Sequence, residues 1–242
     1  MNTNLKIPTV RTNLTMKYNS VLKNMLEVDE AINYLDSLHL FPHPDRSKSW
    51  DISKIIHILN KADKGSFILD VGCNTCPILS MLRKIGFKEL YGCDLYLSPS
   101  SKSQSEKHEF KQYNLSIQNL ENTNYRNNMF DYITSLSVIE HGINIEKYFK
   151  EMNRILKKGG MLLTSTDYWQ NKISTKNSCL FGMPDIIFSK HEIYNIINSA
   201  EKNGFELIEP IDFTCKDKVV RWEHNGVELT FLFFALKKIR SI

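Results

Sequence analysis

The chain has 242 residues, of which 42% are hydrophobic and 24% charged, and its net charge is +4. That length fits one large domain, or one with a small appendage, and can bury a sizeable core without disulfides or metal. The positive charge is scattered with no dense basic block, which counts against nucleic acid as the main partner and reads as a solvated surface.

The five cysteines are an odd number in a chain that needs no staples. Cys73 and Cys76 form a C-x-x-C, but no second pair or H-x-x-x-H follows at zinc spacing. No metal is expected, and the thiols read as incidental in a reducing compartment. Residues 1–6 lack the apolar core of a signal peptide. The longest apolar run, 230–236, is far short of the about 20 residues that span a membrane. A cytoplasmic, soluble protein with no membrane partner is the expectation. The sequence does not choose between a monomer and a homodimer.

In chain order, Val28, Ile32 and Leu35 recur at helical spacing and predict a helix over 28–38. Phe41-Pro42-His43-Pro44-Asp45 breaks it. Asp51 can cap a helix reaching about residue 62, with Ile52, Ile55, Ile56 and Leu59 on one face. Residues 1–50 read as a helical or irregular extension, a candidate lid over an acceptor, ahead of the main domain at 51–242.

From residue 66 the pattern becomes strand, loop, helix, repeated. Residues 66–71 predict a buried strand, and Pro77 can open the next helix, which Gly86 ends. Residues 89–94 predict a second strand. A serine- and lysine-rich connection follows at 98–107, then a third strand over 109–114 and a fourth over 129–135. Ile145, Tyr148, Phe149, Met152, Ile155 and Leu156 mark an amphipathic helix, expected to close on Lys157-Lys158-Gly159-Gly160. Residues 161–165 predict a fifth strand. Ser189 and Glu192 form a capping box for a helix that Gly204 stops. Strands near 205–208 and 227–236 have no helix between them, so they are expected to pair antiparallel. Alternating strands and helices make this an α/β fold with a mostly parallel sheet, which binds ligands at the carboxyl ends of its strands.

The first strand ends in Asp70-Val71-Gly72-Cys73-Asn74-Thr75-Cys76. Gly72 lets backbone approach a ligand, and Asn74 tolerates a left-handed conformation. The second strand ends at Asp94, 24 positions after Asp70, where a carboxylate can accept from both hydroxyls of a ribose. A dehydrogenase would need G-x-G-x-x-G to cradle its pyrophosphate. One glycine of that pattern is present, which suits a phosphate-free ligand. Plainer roles stay open: Asp70 can cap the next helix, and Asp94 can serve a turn.

These segments resemble class I S-adenosylmethionine-dependent methyltransferases. Ile68-Leu69-Asp70-Val71-Gly72-Cys73 looks like motif I and Tyr91-Gly92-Cys93-Asp94-Leu95 like motif II. Ser135-Leu136-Ser137-Val138-Ile139-Glu140-His141 resembles the segment after strand four, and Leu156-Lys157-Lys158-Gly159-Gly160 the family's turn before strand five. The resemblance covers roughly residues 50–240. It implies a Rossmann-like fold: a seven-stranded, mostly parallel sheet with an antiparallel last strand and helices on both faces. The implied cofactor is S-adenosyl-L-methionine, leaving as S-adenosyl-L-homocysteine. Asp70 would orient the methionine amino group over Gly72, Cys73 and Asn74. Asp94 and Leu95 would hold the ribose side, Asn114 and Leu115 the adenine, and Ser135 and Leu136 the sulfonium side. Trp50 lies where the family often folds a helix over the cofactor. Asn114 stands where Asp is common, and Cys76 replaces a common third glycine, which puts the loop's path in doubt.

Methyl transfer is an in-line displacement that profits from a base when the acceptor starts protonated. His141 and Asp167 are the candidate catalytic groups; His141 can instead seat the following helix. Tyr168, Trp169, Arg221 and Trp222 are candidates for binding a small-molecule acceptor, with loop packing as the alternative. The run 165–169 with Val220-Arg221-Trp222 resembles, more loosely, a subgroup of bacterial surface-polysaccharide biosynthesis. The first reading is therefore O-methylation of a sugar, nucleotide-linked or phosphorylated precursor. A nucleic-acid methyltransferase is disfavoured, because no N-P-P-Y-like segment or Pro-Cys nucleophile follows strand four. A catalytically silent cofactor-binding module and a dehydrogenase complete the alternatives.

Overall fold

The computed structural model describes residues 17–75, 77–97, 113–175, 178–180 and 182–242. The connection expected over 98–107, most of the strand expected over 109–114, and Cys76 lie outside these residues.

Short apolar runs form β2 (Ile68–Val71), β3 (Leu90–Asp94), β4 (Asn114–Ile117) and β5 (Phe130–Leu136). They lie parallel in the order β4-β3-β2-β5. The long β6 (Leu156–Trp169) continues the parallel series beside β5. β12 (Glu228–Lys238) runs antiparallel to β6, and β10 (Phe205–Leu207) antiparallel to β12, with no helix between them. This is the expected α/β sheet with an antiparallel end. Among the described residues it has ten strands rather than seven. The additions are two-residue strands: β1 (Ser20–Val21) and β11 (Val220–Arg221) on β12, and β9 (Phe188–Ser189) on β6.

Side chains alternate across each strand. Ile68 faces a core shared with α1 (Met25–Ser37), α2 (Lys48–Leu59) and α3 (Pro77–Lys84), and Leu69 faces a second core. That second core belongs to α4 (Ile145–Ile155) and α5 (Lys190–Lys202). Ser189 and Glu192 form the expected capping box of α5.

Four boundaries differ from expectation, each for a local reason. α2 begins at Lys48, because Asp45 accepts from the Ser47 amide at 3.0 Å and starts the turn early. Asp51 is therefore a buried residue of the helix rather than its cap, and a domain boundary at 50/51 would fall inside α2. Residues 20–21, within the expected extension, lie on the main sheet as β1 beside β12. Residues 157–160 do not end α4. They bulge from the start of β6, where Phe130 faces Leu156 and Tyr132 faces Met161, and Lys157 is held to Asp131 at 2.8 Å. β6 also runs on through Trp169, because Thr166, Asp167 and Tyr168 pair with Leu232, Phe231 and Thr230. Lastly, Asn114 opens β4 instead of closing a strand.

Candidate active site

The carboxyl ends of β2, β3, β5 and β6 meet at one edge of the sheet. Past β2 the chain turns at Gly72, with φ +68°, a left-handed angle that favours glycine. A Cβ there would lie 2.6 Å from Val138 Cγ2, so only glycine lets this turn rest on the segment after β5. The Gly72 and Cys73 amides both donate to the Cys93 carbonyl, at 2.8 and 3.2 Å. Asn74 is also left-handed, at φ 38°. Its amide donates to Asp94 Oδ2 at 3.0 Å, while Tyr96 N donates to Asp94 Oδ1 at 3.3 Å. Asp94 thus ties the loop after β2 to the loop after β3. Asp70 is buried, and Thr134 Oγ1 donates to it at 2.6 Å. Burial, with a smaller push from Asp94, raises the Asp70 carboxyl to about 7.

This donor set suits a cationic, phosphate-free ligand. Two carboxylates flank the Gly72 turn, and among the described residues no ion pair involves either. A pyrophosphate would meet like charge here, whereas an amino group or sulfonium would offset it. Leu95 and Tyr96 beyond β3 are 62% and 68% exposed, and Ile117, level with Asp94, is 59% exposed. Together they form an apolar rim that a planar base could cover.

Other expected cofactor residues lie elsewhere. Asn114 is level with Tyr91, three positions before the strand end, and Leu115 packs in the core beside Gly92. The residues level with Asp94 are Ile117 and Gln118, whose amide donates to the Asp94 carbonyl at 3.0 Å. Trp50 is buried against α1 and donates through Nε1 to Glu27 at 3.1 Å. Ser135 is fully buried on the α4 face beside the Tyr148 hydroxyl, while Leu136 is half-buried on the opposite face. The Cys73 side chain is buried, so its amide is the part that meets the loop.

A second cluster occupies the ends of β5 and β6. Asp51, Glu140 and Asp167 are all buried. Ser165 Oγ donates to Asp51 at 2.7 Å and Thr166 Oγ1 to Glu140 Oε2 at 3.0 Å. Trp222 Nε1 donates to Asp167 Oδ2 at 3.1 Å. Lys48, one-fifth exposed, lies 3.8 Å from Asp51, donates to Ser137 Oγ, and rests on the Phe231 ring. Burial pushes all three carboxyls above the usual range, and the Glu140 charge pushes Asp167 further; Lys48 pulls each back. His141, beside them, meets Asp185 Oδ1 at 3.1 Å through Nδ1.

Of the expected acceptor residues, Trp222 joins Asp167 and His141. Tyr168 does not: it points to the α5 face, fully buried near Phe213. Its place in a strand rather than a loop dictates that alternation. Trp169 is half-buried under Lys218 at 5.1 Å, and Arg221 is exposed on β11. Sequence reasoning missed Lys48 and Asp185. Lys48 had a signal, one helical turn before Asp51; Asp185, 44 residues from His141, had none. Among the described residues no group of three or more metal-ligating side chains is assembled, and no helix is long and apolar enough to cross a membrane.

Residues 69–164 match a family model described as a methyltransferase domain. The mitochondrial ubiquinone biosynthesis O-methyltransferase of Dictyostelium discoideum is 25% identical over 180 residues, 70% of this chain and 52% of that protein. The chain thus spans about half the length of this curated relative. A SAM-dependent methyltransferase from Methanosarcina mazei superposes with a TM-score of 0.57 at 16% identity, covering 76% of this chain and 97% of its own. Phosphoethanolamine N-methyltransferase 2 of Haemonchus contortus, crystallised with S-adenosyl-L-methionine, gives 0.61 at 16% identity over 88% of this chain and 57% of its own. At such identities the two structures speak for the fold alone, which is the Rossmann-like fold of class I methyltransferases. Residues 69–164 and the fold thus resemble methyltransferases of the S-adenosylmethionine-dependent class. None of these matches carries the narrower resemblance to polysaccharide biosynthesis.

Proposed function

We propose that this chain is an S-adenosylmethionine-dependent methyltransferase that methylates a hydroxyl of a small molecule. The observation that carries the reading is the Gly72 turn set between Asp70 and Asp94, two carboxylates that form no ion pair among the described residues. Asp70 and the Gly72–Asn74 backbone would hold the amino-acid end of the cofactor, and Asp94 the ribose. Leu95, Tyr96 and Ile117 would cover the base. When bound, the cofactor supplies an electrophilic methyl group on a sulfonium.

The chain's own residues then handle the acceptor proton. Trp222 holds Asp167 Oδ2, which leaves Oδ1 to receive a proton from a hydroxyl. Burial keeps that carboxyl's affinity for a proton high enough for base work near neutrality. His141 shares the site and is the alternative acceptor of the proton. The curated relative's name, an O-methyltransferase, supports oxygen as the target. Within that class we favour a sugar, nucleotide-linked or phosphorylated precursor, because exposed Arg221 and Lys218 lie beside Trp222 and Trp169.

Calorimetry with S-adenosyl-L-methionine and S-adenosyl-L-homocysteine tests the cofactor, and binding of both is expected. A panel of sugars, nucleotide sugars and phosphorylated metabolites, read by a mass gain of one methyl, tests the acceptor. A folded protein that gives no heat with either nucleoside overturns the reading.

A further inference from the structure

His141 ends a chain of hydrogen bonds that reaches the surface. Its Nδ1 meets Asp185 Oδ1 at 3.1 Å, and Ser178 Oγ donates to Asp185 Oδ2 at 2.7 Å. The same Ser178 hydroxyl meets His224 Nε2 at 2.9 Å, on the exposed turn between β11 and β12. With Ser178 donating to Asp185, the bond to His224 is one in which His224 Nε2–H donates and the hydroxyl accepts. His224 stacks on Trp222 at 5.2 Å, and Trp222 donates to Asp167. One hairpin therefore bonds one candidate base directly and is linked to the other through Ser178 and Asp185.

The backbone is shaped to bring Asp185 there. Ile186 N donates to the Glu140 carbonyl at 2.9 Å, and Asp185 N to the Ser178 carbonyl at 3.1 Å. Gly142, at φ +71°, leaves space that the Pro184 ring approaches: a Cβ would sit 3.1 Å from Pro184 Cγ and Cδ. Asp185 itself is buried, while the His141 side chain is 24% exposed. A buried carboxylate with both oxygens bonded is a fixed acceptor, and a fixed acceptor at Nδ1 selects the ring tautomer.

We propose that Asp185 is a positioning residue, held by Ser178 and the hairpin residue His224, that fixes His141 as the Nδ1–H tautomer, with the lone pair on Nε2. This rests on the reading of His141 as a site residue in an acceptor pocket. The β11–β12 turn, through His224 and Ser178, is the outer end of the chain of bonds that fixes the ring. Among the charged groups near the ring, Asp185, just past β8 (Met183–Pro184), bonds it and Asp167 from β6 interacts with it electrostatically; Glu140 precedes it in sequence, and Lys48 from α2 acts on both Glu140 and Asp167.

The test reads the ring directly and needs no acceptor. Imidazole nitrogen shifts of uniformly labelled protein are recorded at about pH 8.5, well above the ordinary histidine pKa of about 6.5. The His141 signals are assigned by their loss in H141Q. Wild type is expected to show Nδ1–H. Asp185→Ala is expected to move the ring toward Nε2–H, the form a free neutral imidazole favours. Ser178→Ala and His224→Ala, on the outer links, are expected to move it part of the way. His224 is at the surface and its variant keeps the fold, so the test stands even if Asp185→Ala does not fold. A wild-type ring that is Nε2–H, or a His141 spectrum identical in S178A and H224A, overturns the proposal. Titration of the same variants with S-adenosyl-L-methionine separates the two readings. Unchanged affinity is expected, because none touches the Gly72 turn. If wild-type protein fails to bind the nucleoside yet the tautomer follows Asp185, the cofactor assignment falls and the positioning role stands.

Discussion

The Trp222 indole donates to Asp167 Oδ2 at 3.1 Å, across 55 residues of sequence, and so joins the late hairpin to the end of β6. That bond favours the ionised carboxylate, so removing it raises the Asp167 pKa further. Trp222→Phe keeps the ring and loses the donor. Stability at neutral pH should fall by about 1–3 kcal/mol, the cost of a buried acceptor left unmade, as read by urea unfolding. Once an acceptor is known, the acid limb of the turnover profile should move to higher pH in this variant. A limb that stays in place would remove Asp167 as the base.

Asp94→Ala should weaken S-adenosyl-L-methionine by about 1–3 kcal/mol, measured by calorimetry. The loss has two sources: the ribose partner disappears, and the Asn74 and Tyr96 amides lose their acceptor. Asp94→Asn, which retains one oxygen, should recover part of the affinity. Equal affinity in wild type and D94A would remove the ribose assignment.

The proposed cofactor loop was more legible in the sequence than the proposed acceptor pocket, and the reason is locality. Asp70, Gly72 and Asn74 lie on one turn, and Asp94 follows one βα unit later, so their spacing alone brings them together. The acceptor side is assembled from α2, β5, β6, the residue after β8, and the β11–β12 turn. No pattern in sequence announces that His141 meets Asp185 or that Asp167 meets Trp222. Strand ends were misplaced where pairing overrides local signals. Lys157-Lys158-Gly159-Gly160 reads as a helix stop but bulges from a strand, because Asp131 holds Lys157. Residues 166–169 read as a loop but extend β6, because β12 pairs with 166–168 and β9 with 168–169. That extension also turned Tyr168 away from the pocket.

Asp70→Asn should change how stability depends on pH. The folded-state value of about 7 exceeds the ordinary value of 3.8, so between these the folded chain keeps a proton that the unfolded chain has released. Stability from this group is therefore greatest below about 4 and is lost as pH rises through 7. Asn keeps the acceptor for Thr134 and cannot ionise. Relative to wild type, D70N should gain on the order of 4 kcal/mol between about pH 4 and pH 8. Unfolding midpoints at the two pH values give the comparison. The same variant should bind S-adenosyl-L-methionine more weakly, because the carboxylate that offsets the ligand's positive charge is gone. Parallel pH profiles in the two proteins would show that Asp70 ionises freely.

Lys48 lies close to Asp51 and acts electrostatically on Glu140 and Asp167 as well, and Lys48→Met tests whether it holds that group together. Methionine keeps most of the apolar stem while removing the charge that sits over the Phe231 ring. The sign follows from the carboxyls. All three already have raised folded-state values, so each favours folding most at low pH and costs most once ionised. Without Lys48 their values rise further. At about pH 5 protonation relieves the buried cluster and the variant should be close to wild type. At about pH 8 it should lose about 3 kcal/mol, as when one member of a buried ion pair is removed. The double variant K48M/E140Q should recover part of that loss, since a neutral amide needs no counter-ion. A K48M penalty that is the same at both pH values, with no recovery in the double variant, would mean that Lys48 contributes packing and its bond to Ser137, rather than charge.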